Sequence, residues 1–357
     1  MERRNFLKST SWFILSLGGA KLLASCSPNS TTSETPVNSE TAEAEAVADT
    51  NAKTQPLSDL KELNFGIIST ESQANQKPIW EPFIQAMSDE LGIPINAFYA
   101  TSYNGVIEAM RFGQVHLAWL GGKSYIEAAK IANAEAFAQT VGLDGSKGYY
   151  AYLITNKDNP IASQIVNEDG DQYVIKNAPD LTFAFNDPNS TSGFLVPSYY
   201  VFAKNNVNPK KAFNKLVFSG SHEATALAVA NNQVDVATNN SESLSRLEKT
   251  NPAAREKIQV IWTSPEIPSD PIAYRRDLPE ELKTKIKDFF YNYNDETVLG
   301  PLEWSSFIVA DDKNWNAIRE LEIGKQIMEV QEDENMDTAE KEKKLNELNQ
   351  QLTALQG

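Results

Sequence analysis

The feature that most constrains this chain is an alternation that starts at Leu63. Short runs rich in β-branched and aromatic residues are each followed by an amphipathic run of helical period. "LNFGII" (63–68) reads as a strand, and "PIWEPFIQAMSDELG" (78–92) as a helix closed by Gly92. "INAFYA" (95–100) and "VHLAWLG" (115–121) read as strands, with helices over 104–114 and 123–133. A second set follows, with strands at 149–156, 181–186, 213–220 and 234–239 and helices at 192–205 and 222–233. An extended stretch covers 258–268, and the tail from Pro279 is mainly helical. Alternation at this pace predicts an α/β fold of two lobes, each a mostly parallel sheet flanked by helices. Two extended crossovers, near 145–157 and 260–273, would join the lobes as a two-stranded hinge.

The residues before Leu63 belong to neither lobe. Arg3, Arg4 and Lys8 precede an apolar run from Trp12 to Leu17, which Gly18, Gly19 and Lys21 interrupt. That is the layout of an export signal, too short and broken for a permanent membrane span. "RRNFLK" (3–8) resembles a twin-arginine motif, and "LASC" (23–26) resembles a lipobox whose Cys26 is lipidated. The alternative for Cys26 is a free thiol beside an ordinary signal peptide. As the single cysteine, it leaves no internal disulfide to form. Residues 27–57 are mostly Ser, Thr, Glu, Ala, Asn and Pro, a composition that predicts a flexible tether. The organisation expected is therefore a signal over 1–25, a tether over 26–57, one lobe from 58–150 plus 269–357 and the other from 151–268. Such a chain would be exported and held at a membrane by a lipid anchor on Cys26.

Charge narrows the partners. Residues 1–25 carry a net +3, so the remainder holds −19 of the overall −16. A balance so acidic argues against nucleic acid or an anionic membrane as the main partner. Ligands of open α/β sheets sit beyond the carboxyl ends of strands, at helix N-termini. Three such junctions here are polar: 101–105, 121–125 and 187–193. In "DPNSTSGFLVP" (187–197) a turn at Asp187-Pro188-Asn189 precedes Ser190, Thr191 and Ser192, and Gly193 lets the helix start close to a ligand. The unpaired N–H groups of a helix start and three neighbouring hydroxyls form a cradle for a tetrahedral oxyanion, with no arginine required. A plain helix cap with surplus hydroxyls fits the same stretch.

The wider sequence resembles a known family. "TSYNGVIEAMRFGQVHLAW", "FAQTVGLDGSKGYYAYLITNKDNP", "LTFAFNDPNSTSGFLVPSYYVFAKNN", "ALAVANNQVDVATNN" and "VIWTSPEIPSDPI" are similar, in unbroken order from about residue 62 to 310, to the phosphonate-binding proteins of bacterial ABC importers. The resemblance implies a type II periplasmic binding protein that takes a phosphonate, most of all 2-aminoethylphosphonate, and passes it to an inner-membrane permease. It implies phosphonate contacts at Tyr103, Tyr149, Ser190, Thr191, Ser192 and His222, with Ser124 as a further donor. It also implies that Glu242 and Asp270 grip a ligand ammonium. No cofactor and no metal are implied. Two departures stand out: "AWLGGKS" carries Leu120 and Gly121-Gly122 where some relatives are more polar or aromatic, and "SGSHEAT" differs around His222.

Other readings remain open on the residues. Within the same class stands a receptor for phosphite, phosphate or methylphosphonate. From another class comes a secreted serine-dependent phosphoester hydrolase, which needs a base beside its serine, though no "GxSxG" elbow is present. His116, within a strand, reads as structural, and two histidines make a histidine-rich metal site untenable. Leu345, Leu348, Leu352 and Leu355 fit either a two-heptad homodimer seam or a stripe packed on their own domain.

Overall fold

A computed structural model describes residues 60–165 and 169–356. The export signal, the lipobox with Cys26 and most of the tether lie outside the described residues. The first lobe is built on a six-stranded sheet of β1 (Leu63–Ile67), β2 (Ile95–Tyr99), β3 (Leu117–Trp119), β4 (Ala134–Gly142), β12 (Pro271–Arg275) and β13 (Trp304–Val309). Its order is β13-β4-β12-β3-β1-β2. The second lobe holds β6 (Ala151–Asn156), β7 (Thr182–Phe185), β8 (Lys215–Phe218), β9 (Val236–Asn240) and β10 (Ile258–Thr263), in the order β10-β6-β9-β7-β8. Between the lobes, β5 (Gly148–Tyr149) pairs antiparallel with β11 (Ile267–Pro268), so the two crossovers run side by side.

The expected two-lobed α/β plan is present, with one correction: each sheet is mixed rather than mostly parallel. β1 pairs parallel with β2 and β3, and β7 pairs parallel with β8 and β9. The strands that flank the crossovers, β4, β12, β6 and β10, run antiparallel to their neighbours. The physical reason lies in the connections. Parallel neighbours need a long crossover such as a helix, whereas here the chain passes between sheets in extended form and enters each strand from the opposite side.

Helices α1 (Gln73–Leu91), α2 (Tyr103–Arg111), α3 (Gly122–Ile131), α10 (Glu280–Asn292) and α11 (Glu296–Leu299) serve the first sheet. Helices α4 (Pro160–Gln164), α5 (Gly170–Asn177), α6 (Pro209–Ala212), α7 (His222–Ala230), α8 (Ser241–Thr250) and α9 (Pro252–Glu256) serve the second. Gly92 ends α1 as expected, in the left-handed region at φ 64° with its N–H on the Ser88 carbonyl. Beneath α1, Trp80, Trp119 and Trp304 pack with centroids 5.2–5.9 Å apart, forming part of the first core. The second core includes Phe183, Phe185, Phe202 and Phe213.

The stretch expected as one helix over 192–205 is helical throughout, starting at Thr191, but mostly wider than an α-helix. Two π-helical turns, Thr191–Leu195 and Ser198–Phe202, are joined by helical Val196 and Pro197 and end in a 3-10 turn at 203–205. Proline has no N–H to continue an ordinary ladder, which favours the wider turns around it. Gly193 is also corrected. A Cβ there would lie 2.4 Å from Asn186 Cγ, so the glycine admits Asn186 rather than a ligand. The C-terminal pair α12 (Asn316–Glu332) and α13 (Thr338–Gln356) packs together. Leu345, Leu348, Leu352 and Leu355 lie against Ile323, Ile327 and Val330 of α12. The leucine stripe is thus covered by its own chain, and the homodimer seam is not the arrangement found.

Candidate functional site

The strand directions bring one rim of each sheet together. On the first sheet, the chain leaves the carboxyl ends of β1, β2 and β3 toward Thr70, Tyr103 and Gly121. β12 is antiparallel to β3, with Ile272 opposite Trp119, so Asp270 at its amino end stands on that same rim. On the second sheet, β7, β8 and β9 lead to Ser190–Ser192, His222 and Glu242. β6 is antiparallel to β9, with Ala151 opposite Asn240, which puts Tyr149 beside them. A small, nearly closed pocket lies between the rims, lined by Tyr103, Tyr149, Ser190, Thr191, Ser192, His222, Glu242 and Asp270. Every residue expected at the site is brought to it except Ser124. That serine is buried and donates to the Gly121 carbonyl at 3.0 Å, a bond within its own helix turn.

The three hydroxyls share one arrangement. Ser190 Oγ accepts from Gly193 N at 2.9 Å, Thr191 Oγ1 from Lys123 N at 2.9 Å, and Ser192 Oγ from Asn240 Nδ2 at 3.1 Å. A hydroxyl that accepts from a fixed donor keeps its single proton to give. All three are therefore set as donors, and the N-termini of α2, α3, α7 and α8 surround them with the positive ends of helix dipoles. Tyr103 and Tyr149 are held as phenols. Burial raises both well above the usual tyrosine value, and carboxylates add to the rise: Asp187 for Tyr103, Asp270 for Tyr149.

His222 caps this group. Its Nε2 lies 3.2 Å from Asn240 Nδ2, 3.4 Å from Ser192 Oγ and 3.5 Å from Ser190 Oγ. Burial, helped by Arg246 and opposed by Glu71, presses its pKa down to about 3. The ring is neutral. His116, by contrast, is structural as expected, its Nδ1 accepting from Asn64 N at 3.0 Å.

Two carboxylates line the same cavity, Asp270 buried and Glu242 half-buried. Burial raises Glu242, against the pull of Arg246. It raises Asp270 well above the ordinary range, and Glu242 adds to the rise while Arg246, Trp119 and Tyr149 pull back. Asp270 Oδ1, Trp119 Nε1 and His222 Nδ1 are buried with no hydrogen-bond partner among the described residues. Such atoms carry a desolvation cost that a ligand can relieve.

Sequence reasoning missed Arg246, which corrects the expectation of a site with no cationic side chain. Arg246 lines the cavity and donates from Nε to Glu71 Oε1 at 2.9 Å. The wall also includes Thr70, Trp119, Gly121 and Asn240. Asn240 sits in the quoted "QVDVATNN" run, yet nothing in its type marks it as the residue that orients Ser192.

Residues 65–315 match the family model described as the periplasmic substrate-binding protein of phosphonate ABC transporters. The chain belongs to this family. It is 48% identical over 299 residues to the phosphonates-binding periplasmic protein of Escherichia coli, covering 83% of this chain and 86% of that one. It is likewise 48% identical to a solved binding-protein component of a phosphonate ABC transporter from Pseudomonas aeruginosa, with a TM-score of 0.78 and coverage of 84% and 97%. A Prochlorococcus marinus protein solved in complex with methylphosphonate is 25% identical, with a TM-score of 0.65 over 73% of this chain and 97% of that one. As a phosphonate-family binding protein, the chain is the periplasmic substrate-binding component of an ABC importer.

Proposed function

We propose that the cavity captures 2-aminoethylphosphonate, with its oxyanion on the hydroxyl side and its ammonium between Glu242 and Asp270. The observation that carries this reading is that one small cavity is lined by both kinds of group. Ser190, Thr191 and Ser192 are all oriented to donate, and the carboxylates Glu242 and Asp270 line the same space. Tyr103 and Tyr149 complete the donor set around the phosphonate, and neutral His222 borders it beside Ser190 and Ser192. Closure of the lobes removes the ligand from water, and the closed form is what a permease reads. Lipidation of Cys26 and the 26–57 tether would keep the protein beside that permease.

Asp270→Asn tests the ammonium assignment. Breaking one partner of a buried charge pair costs roughly 3–5 kcal/mol, about a hundredfold or more in affinity. The variant should lose 2-aminoethylphosphonate by that factor while holding methylphosphonate nearly unchanged in calorimetric titration. Equal losses would refute the assignment and favour a receptor for phosphite, phosphate or small alkylphosphonates. Hydrolysis is disfavoured by the histidine's surroundings. With Asn240 donating to His222 Nε2, that nitrogen has no lone pair to take a serine proton.

A further inference from the structure

The ammonium side of the cavity contains a cation of its own, and that calls for an account. Arg246 stands one helical turn after Glu242 on α8. Its Nε donates to Glu71 Oε1 at 2.9 Å and its Nη2 to Ser243 Oγ at 3.1 Å, while Ser243 Oγ donates to Glu71 Oε1 at 3.2 Å. The guanidinium is thereby fixed from both lobes, since Glu71 follows β1 and Arg246 belongs to the second sheet's helices. Glu71 is steadied in turn by the Thr70 hydroxyl, and Thr70's carbonyl accepts from the His222 and Glu223 N–H groups at 3.0 and 3.2 Å.

We propose that Arg246 is a specificity-determining residue: clasped by Glu71 across the cleft, it keeps the Glu242–Asp270 pair anionic enough to select a phosphonate that bears an ammonium group. The inference rests on the ligand orientation proposed above. The charged groups around the guanidinium are Glu71 from the first lobe, Glu242 on α8, Asp270 before β12 and Glu303 before β13, with His222 nearby. Arg246 outweighs Glu71 at Glu242. Glu242 and Asp270 themselves are two like charges in a dry site, and they push each other toward the protonated form. The guanidinium opposes that drift for both partners. Without it, Glu71, Glu242 and Asp270 would share a buried site with no cation, and protons would take its place. A protonated carboxyl offers an ammonium no ion pair, yet a methyl tail is indifferent to the change.

The test uses the full mature chain with Arg246→Gln, Arg246→Lys and Glu71→Gln, folding checked by circular dichroism. Each is titrated with 2-aminoethylphosphonate and with methylphosphonate between pH 5 and 8. Arg246→Gln should reduce the preference for the aminated ligand by about tenfold or more, the effect of about one pKa unit at the carboxyl pair. Its remaining preference should emerge only at higher pH than in the wild type, and Arg246→Lys should restore most of it. Glu71→Gln, which keeps the cation but removes an anion that raises Glu242, should strengthen rather than lower the preference for the aminated ligand. An equal loss of both ligands in Arg246→Gln, or an unmoved preference and pH profile, would overturn the inference while leaving the ammonium reading standing. A wild type with no preference at all would remove both together.

Discussion

At the scale of single residues, the cavity depends on which atoms already have partners. Ser192 Oγ receives the Asn240 amide, so its proton is available to a bound oxyanion. Ser192→Ala deletes a donor to a charged group, worth about 1.5–3 kcal/mol, and should weaken every phosphonate by roughly ten- to a hundredfold in calorimetric titration. Asp270 makes a second, distinctive prediction. Burial and Glu242 favour its protonated form in the free protein, and an incoming ammonium reverses that preference. Binding of 2-aminoethylphosphonate to the wild type should therefore release protons that its binding to Asp270→Asn does not, read from titrations in buffers of different ionisation enthalpy. His222 governs acid stability. Its folded pKa of about 3 lies below the roughly 6.5 of an unfolded histidine, so the folded state binds fewer protons. Its contribution is complete above about pH 6.5 and is lost as pH falls toward 3. His222→Gln should flatten the fall of Tm between pH 7 and 4, and an unchanged slope would contradict the assignment.

At the scale of elements, the lobes are held together by capping across the cleft. Each of the first three helices of the first lobe has an N-terminal donor satisfied from the second lobe. For α1 it is Ser72 N on Glu223 Oε2 at 2.5 Å, for α2 Tyr103 N on Asp187 Oδ2 at 3.2 Å, and for α3 Lys123 N on Thr191 Oγ1 at 2.9 Å. A lost cap costs about 1 kcal/mol, so Glu223→Ala, whose side chain does not line the cavity, should weaken all ligands by roughly fivefold through the closed state alone. What was legible in the sequence follows from locality. The hydroxyl run and the polar junction at 101–105 are local signals, and they converge because strands point their ends to one rim; Asp270 was reached only through the family resemblance, since a lone carboxylate in so acidic a chain reads as a surface acid. Arg246 was not legible. An arginine four residues after a glutamate on an amphipathic helix reads as a solvent pair, and its burial depends on Glu71, distant in sequence. The strands β4, β12 and β13 were equally hidden: "AEAFAQTVG" is rich in alanine, and "PIAYR" is short and begins with proline.

At the scale of the whole molecule, α12 spans both lobes, packing on α3 and on the Thr191–Phe202 turns, while α13 packs on α12. Removing α13 uncovers Ile323, Ile327 and Val330 without touching the cavity. A chain ending at residue 337 should lose a few degrees of Tm and keep its phosphonate affinity. The architecture as a whole turns an acidic protein into an anion receptor. Its strand ends, helix starts and hydroxyls supply local donors that the net charge of −16 does not. A crystal structure of the mature protein grown with 2-aminoethylphosphonate tests this most directly. The phosphonate oxygens should lie within hydrogen-bond reach of Ser190, Thr191 and Ser192, with the nitrogen between Glu242 and Asp270. Ligand density with the phosphorus against Arg246, or anywhere outside this cavity, would contradict the account.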